Sequence, residues 1–203
     1  MKYIETDRSF YKKLVTIAFP VAMQSVITVG VNLIDTIMLG KLGETALSAS
    51  SLANQFIVLF IFMCMGISMG SSVLTGRFWG ARDMVSLKKV VTIAYRIALG
   101  IALFFTVINF VFAKQIMSFY SAEADVIQAG TVYLRWSTAT FLLMALNTVS
   151  TNVIRSVGVN HISFIAALCS FGVNIGANYV LIFGKFGFPE MGVAGAALGT
   201  VIA

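Results

Sequence analysis

Five apolar runs, each longer than the roughly 20 residues a membrane helix needs, decide what this chain can fold into. They lie at 14–39, 47–75, 90–112, 126–154 and 162–183, with short polar connections between them. A sixth run, 191–203, is stopped by the end of the chain. Of the 203 residues, 59% are hydrophobic and only 11% charged, against roughly 25% charged in a soluble domain. Too few polar side chains exist to cover a water-facing surface. The expected fold is an all-α integral membrane protein, a six-helix transmembrane bundle over 14–203 behind a polar lead at 1–13.

The net charge of +6 does not point to nucleic acid, because the basic residues are scattered between apolar runs and no nucleic-acid module is recognisable. Short connections make successive helices antiparallel, so the cations can be counted by side. One side holds Lys2, Arg8, Lys12, Lys13, Arg77, Arg82, Lys88, Lys89, Arg96 and Arg155; the other holds Lys41, Lys114, Arg135 and Lys185. Ten against four places the N-terminus in the cytoplasm and the chain in the cell membrane, plasma or inner. The sixth run has thirteen residues, too few to span, so the sequence reads as a fragment of a longer transporter-like protein or as a truncated product.

Inside the first run sits Asp35. A carboxylate at bilayer depth costs about 2.5–3.5 kcal/mol on insertion scales and marks a functional site by default. Asn32, Thr28 and Gln24 precede it by three, seven and eleven residues, which at 100° per residue puts them on one side of the helix. The fifth run carries Ser170, Asn174 and Asn178 at i, i+4 and i+8, and the fourth carries Asn147, Thr151 and Arg155 on one face with Thr148 and Asn152 beside it. Three polar faces predict a shared hydrated cavity. Pro20, in the first third of its helix, is expected to kink it or to free a carbonyl.

Other features have plainer explanations. Arg135 beside Trp136 reads as an interfacial anchor, and His161 as a solvated loop residue. Cys64 and Cys169 lie in separate apolar runs and read as small hydrophobes. Gly66-Ile67-Ser68-Met69-Gly70 matches a hydrolase nucleophile elbow, but it lies within an apolar helix with no His–Asp pair at that depth to activate Ser68. It reads instead, like Gly172 and Gly176, as a small-residue surface for close helix packing. No metal site is expected beyond Na⁺ at Asp35, and no cofactor.

Several stretches together resemble the N-terminal half of the multidrug and toxic compound extrusion (MATE) family. They are Ala18-Phe19-Pro20, the run 32–43 (NLIDTIMLGKLG), the connection 76–83 (GRFWGARD), 154–158 (IRSVG), 174–184 (NIGANYVLIFG) and 187–200 (GFPEMGVAGAALGT). The resemblance covers nearly the whole chain. It implies one lobe of a twelve-helix transporter built from two six-helix lobes, working by alternating access. It also implies export of cationic amphipathic small molecules in exchange for H⁺ or Na⁺, a missing C-terminal lobe as partner, and membrane lipid around both. The family's acid in helix one matches Asp35, its polar partners in helix five match Asn174 and Asn178, and a threonine in helix six matches Thr200. An asparagine of helix four matches Asn152 or Asn147. Some members carry a second acid where this chain has Asn178.

The function expected is therefore that of a secondary antiporter, not an enzyme, with Asp35 as the ion-coupling residue. The alternatives are a lipid-linked oligosaccharide flippase of the same superfamily, which would favour a more cationic cavity, a serine hydrolase built on Ser68, and a membrane fragment that transports nothing.

Overall fold

The computed structural model describes residues 8–203; residues 1–7, which hold Lys2 and the first part of the expected lead, lie outside the described residues. All regular structure among the described residues is helical: α1 (Arg8–Gly40), α2 (Glu44–Gly80), α3 (Met84–Tyr120), α4 (Ala124–Trp136), α5 (Thr140–Ser156), α6 (Asn160–Phe183) and α7 (Val193–Ile202), with a 3₁₀ turn, Ser137–Ala139, between α4 and α5. The stretches Leu14–Gly40, Glu44–Gly80, Met84–Tyr120 and Asn160–Phe183 are long and apolar enough to cross a membrane. Large apolar side chains such as Phe62, Val73, Phe104 and Phe110 are more than 60% exposed, an apolar surface on the scale of a membrane-embedded bundle. The protein is a multi-pass membrane bundle.

The fourth apolar run is one stretch in hydropathy but two helices in space. Neither α4, with 13 residues, nor α5, with 17, is long enough to cross alone; the 3₁₀ turn joins them end to end. α3 also changes direction, at Phe112, whose φ of −112° and ψ of 17° leave the helical region. α1 runs through Pro20 as a single helix. Pro20 has no N–H to give, so the Thr16 carbonyl four residues earlier loses its usual partner.

Between lipid-soaked helices the hydrophobic effect contributes little, and close packing of small and aromatic side chains has to hold them. Ala49 and Ala53 of α2 and Ala94, Ala98 and Ala102 of α3 are buried to 3% exposure or less. Above them, Phe56 and Phe60 of α2, Phe105 of α3 and Phe141 of α5 interlock. Phe60 meets Phe141 edge-on, with centroids 5.0 Å apart and planes at 88°. α2, α3, α4 and α5 form one group around this cluster, while α1 packs chiefly on α6, and α6 on α7.

The glycine spacings do not act as expected. A Cβ at Gly66, Gly70, Gly172 or Gly176 would meet nothing within 4 Å, so neither pair is a close-packing surface in this fold. The tight approaches are elsewhere. Gly184 closes α6 with φ of 62°, and a Cβ there would lie 2.8 Å from the Glu190 nitrogen. At Gly195 a Cβ would lie 2.5 Å from the Leu181 carbonyl oxygen, so α6 and α7 touch backbone to backbone.

Outside the spans, Asp83 caps α3: its Oδ1 accepts the Ser86 N–H at 3.0 Å. The Ser86 hydroxyl and N–H hold this carboxyl below the usual carboxylate range. A depressed folded-state pKa adds stability above the unfolded value of roughly 3.9 and loses it as pH falls through the folded value. The first turn of α3 should therefore fray on acidification below that range, seen as amide exchange at Ser86 rising relative to its intrinsic rate. Asp83→Asn, which caps without titrating, should remove that pH dependence.

Candidate functional site

α1 and α6 run against each other, and this contact carries Asp35 to the amides of the fifth apolar run. Asn178 Nδ2 donates to Asp35 Oδ1 at 2.6 Å. The same nitrogen donates to Asn174 Oδ1 at 3.2 Å, one turn earlier on α6. Asn174 and Asn178 are 2% and 0% exposed, whereas Asp35 is half-buried. The i, i+4 spacing of the two asparagines puts both amides on the buried face of α6. An N–H directed at a carboxylate makes a charge-assisted bond, roughly twice as strong as a neutral one.

α7 closes the other side. Gly199 lies so near the Asn178 carboxamide that a Cβ would overlap its Oδ1. That oxygen is buried without a hydrogen-bond partner. Thr200 follows Gly199 directly, and its hydroxyl donates to its own helix at the Ala196 carbonyl, 3.1 Å away.

Two residues not anticipated from the sequence form a separate polar contact between α2 and α4. Tyr133 of α4, 5% exposed, donates its hydroxyl to Asn54 Oδ1 of α2 at 3.3 Å. Asn54 was detectable as an amide inside an apolar run. Tyr133, three residues before Trp136, was hidden by its likeness to an interfacial aromatic belt.

The other expected cavity residues are distributed differently. Gln24, eleven residues before Asp35 and so roughly 16 Å away along α1, accepts a hydrogen bond from the Arg155 guanidinium of α5. Arg155 sits in the last turn of α5, where a cation complements the helix dipole. Thr28 and Asn32 are exposed; the Thr28 hydroxyl donates to the Gln24 carbonyl. On α5, Thr151 donates to Asn147 Oδ1 at 3.2 Å and Asn152 to the Thr148 carbonyl at 2.9 Å. Ser170 donates to the Ala203 carbonyl at 2.8 Å. Asn178 thus bonds both Asp35 and Asn174, and Thr200 follows Gly199, the residue packed on its carboxamide. Gln24 belongs to a second polar contact deeper along α1, and Asn147, Thr151 and Asn152 bond within α5. Ser68 is fully buried with its hydroxyl unpartnered.

A family model described as MatE matches residues 20–180. The chain belongs to the MatE family. Among MatE relatives, "Probable multidrug resistance protein YoeA" of Bacillus subtilis is 30% identical over 197 residues, covering 96% of this chain and 42% of that protein. "Probable multidrug resistance protein NorM" of Listeria monocytogenes is 27% identical over 202 residues, covering 100% of this chain and 44% of that protein. A solved mutant of the Vibrio cholerae MATE transporter VcmN superposes with a TM-score of 0.87 at 17% identity, covering 99% of this chain and 45% of that one; at that identity the likeness is one of fold. The chain spans less than half the length of these MatE relatives.

Proposed function

We propose that this chain is one lobe of a two-lobed exporter that carries amphipathic organic cations out of the cell in exchange for protons, with Asp35 as the coupling acid. The lobe is the bundle 14–203, set in the cell membrane with its N-terminus in the cytoplasm. The observation that carries this reading is the 2.6 Å bond from the Asn178 amide to Asp35 across two apolar helices. Membership in a family whose relatives are named multidrug resistance proteins supports the cargo, and the ten-to-four division of Lys and Arg supports the orientation.

Coupling follows from the chemistry of that bond. Ionised Asp35 holds α1 to α6 through a charge-assisted contact, and the same negative charge attracts an organic cation into the lobe. Protonation weakens the contact and removes the attraction, so one proton taken up at Asp35 both frees α1 to shift and releases the cargo. A proton fits the donor set better than Na⁺ does. Asn178 presents its N–H to Asp35, and its oxygen is turned against Gly199, whereas a hard cation needs several converging oxygens.

The test is reconstitution of the transporter, with both lobes, in liposomes loaded with ethidium. An imposed proton gradient should drive ethidium exchange, and a Na⁺ gradient of equal size should not. Exchange indifferent to both gradients overturns the reading; exchange driven by Na⁺ alone reassigns the ion.

A further inference from the structure

The bundle holds two groups of helices: α2, α3, α4 and α5 around the phenylalanine cluster, and α1, α6 and α7 beside them. The side-chain hydrogen bonds that join helices keep to these groups. Within the first, Tyr95 of α3 meets Ser150 of α5 at 2.7 Å, and Thr75 of α2 meets Ser156 of α5 at 2.6 Å. Within the second, α1 is tied to α6 at Asp35 and Asn178, and Ser170 of α6 to the Ala203 carbonyl just past α7. Over 14–203, among the described residues, one such bond crosses from group to group. The Arg155 guanidinium of α5 donates to Gln24 Oε1 of α1.

Arg155 reaches across from a fixed platform. Its neighbour Ser156 is held to Thr75, and Gly76 brings α2 under the Ser156 carbonyl, with 3.4 Å left for a Cβ. A cation in the last turn complements the dipole of α5 from solvent as well as from an interface, so the dipole does not explain why Arg155 turns to α1. Its partner there is a neutral amide, and its Nε is buried without a partner. A half-satisfied guanidinium costs more than an apolar side chain of similar length would.

The two faces that meet at this bond stay polar beyond it. With a rise of about 1.5 Å per residue, Thr28 and Asn32 stand roughly 6 and 12 Å past Gln24 on α1, and Thr151 and Asn147 as far past Arg155 on α5. Thr28, Asn32 and Asn147 are exposed, and α1 packs on α6, α2 and α7 rather than on α5. A polar seam therefore runs between α1 and α5, stopped at one end by a single hydrogen bond. On α1 it ends about one turn short of Asp35.

We propose that the Arg155–Gln24 clasp is a gate at the end of this seam nearest the N-terminus, the cytoplasmic end in the orientation proposed above. Closed, it keeps the cytoplasm from the polar residues beyond, and its fixed positive charge bars cations, as an arginine does in water pores that exclude protons. Opened, it puts the seam within reach of the cytoplasm. The seal stands on the geometry alone. Its use, holding protons and cationic cargo back from Asp35, rests on the coupling role argued above.

The test uses the transporter with both lobes, in a cysteine-free background and inside-out vesicles, with one thiol introduced by Asn147→Cys. A cationic methanethiosulfonate (trimethylammonium-ethyl) and an anionic one (sulfonatoethyl) are applied from the cytoplasmic side, each rate taken relative to free cysteine. In the parent both should react slowly. Gln24→Leu breaks the clasp and keeps the charge, so the anionic reagent should speed up by about tenfold or more, the size of one hydrogen bond to a charged group, and the cationic reagent by less. Arg155→Met should raise both alike, and serves even if Gln24→Leu does not fold. Val107→Cys, on the exposed apolar face of α3, should stay unreactive throughout. Parent rates as fast as those of the variants, or rates that neither substitution changes, overturn the gate; an equal rise for both reagents in Gln24→Leu overturns the charge barrier. Proton leak into liposomes without cargo, followed with entrapped pyranine, reads the use of the gate. Arg155→Met should leak faster than the parent, and adding Asp35→Asn should stop the leak. A leak indifferent to Asp35, with the thiol rates as expected, leaves the gate standing and removes the coupling role.

Discussion

Asp35→Asn should abolish proton-driven efflux by the two-lobed transporter while leaving its abundance in the membrane unchanged. The substitution keeps the volume of the side chain and an oxygen to accept from Asn178 Nδ2, so the contact between α1 and α6 survives in neutral form. It removes the ability to exchange a charge for a proton. Stability should rise slightly if anything, because a neutral amide is cheaper than a carboxylate among apolar helices. Binding of a cation such as ethidium should weaken along with transport, since the charge that attracts it is gone. Efflux from cells lacking other exporters and equilibrium ethidium binding to the purified protein measure the two effects. Undiminished gradient-driven efflux would remove Asp35 from the mechanism.

The second large effect is expected where no polar group is touched. Gly199→Ala places a methyl group on the Asn178 carboxamide. Retreat of α7 to make room is opposed by the hydrogen bonds of the Met191 and Gly192 N–H groups to the Leu181 and Ile182 carbonyls, which tie its start to α6. The carboxamide must rotate instead, and rotation breaks its bond to Asp35. Overpacking of this kind costs about 1–3 kcal/mol, visible as a lower thermal midpoint in detergent, and efflux should fall with it by an order of magnitude. Gly172→Ala on the same α6 is the control: a Cβ there meets nothing within 4 Å, so both readouts should stay at the parent level. Equal losses from the two substitutions would show that glycine itself, not the Asn178 contact, matters.

How far these features could be seen in the sequence depended on their range. The membrane class and the helical architecture follow from local composition. An acid in an apolar run is also a local signal, and the i, i+4 spacing of Asn174 and Asn178 announces a polar face without saying what it faces. What periodicity cannot supply is the partner. Gln24 shares a face with Asp35, yet the two reach different helices, because a stripe along α1 passes α6 at one depth and α5 at another. The break within 126–154 was invisible because Ser137, Thr138 and Ala139 carry no proline or glycine; the amide that bonds there, Asn109, comes from α3. The glycine spacings misled for the opposite reason. Small residues permit close approach but do not compel it, and at Gly172 and Gly176 no helix takes up the invitation.

Met191 and Gly192 donate their N–H groups to the carbonyls of Leu181 and Ile182, so the connection between α6 and α7 is sewn to the last turn of α6 before α7 even begins. Added to the contacts at Gly195 and Gly199, this makes positions 178, 181, 195 and 199 a single unit of sequence change. A lineage that enlarges the residue at 199 must find another side chain for 178, and one that alters the acceptor at 178 is free to fill the space at 199 only in the same step. Differences among relatives at this contact should therefore be sought as paired changes across these two helices rather than as single replacements.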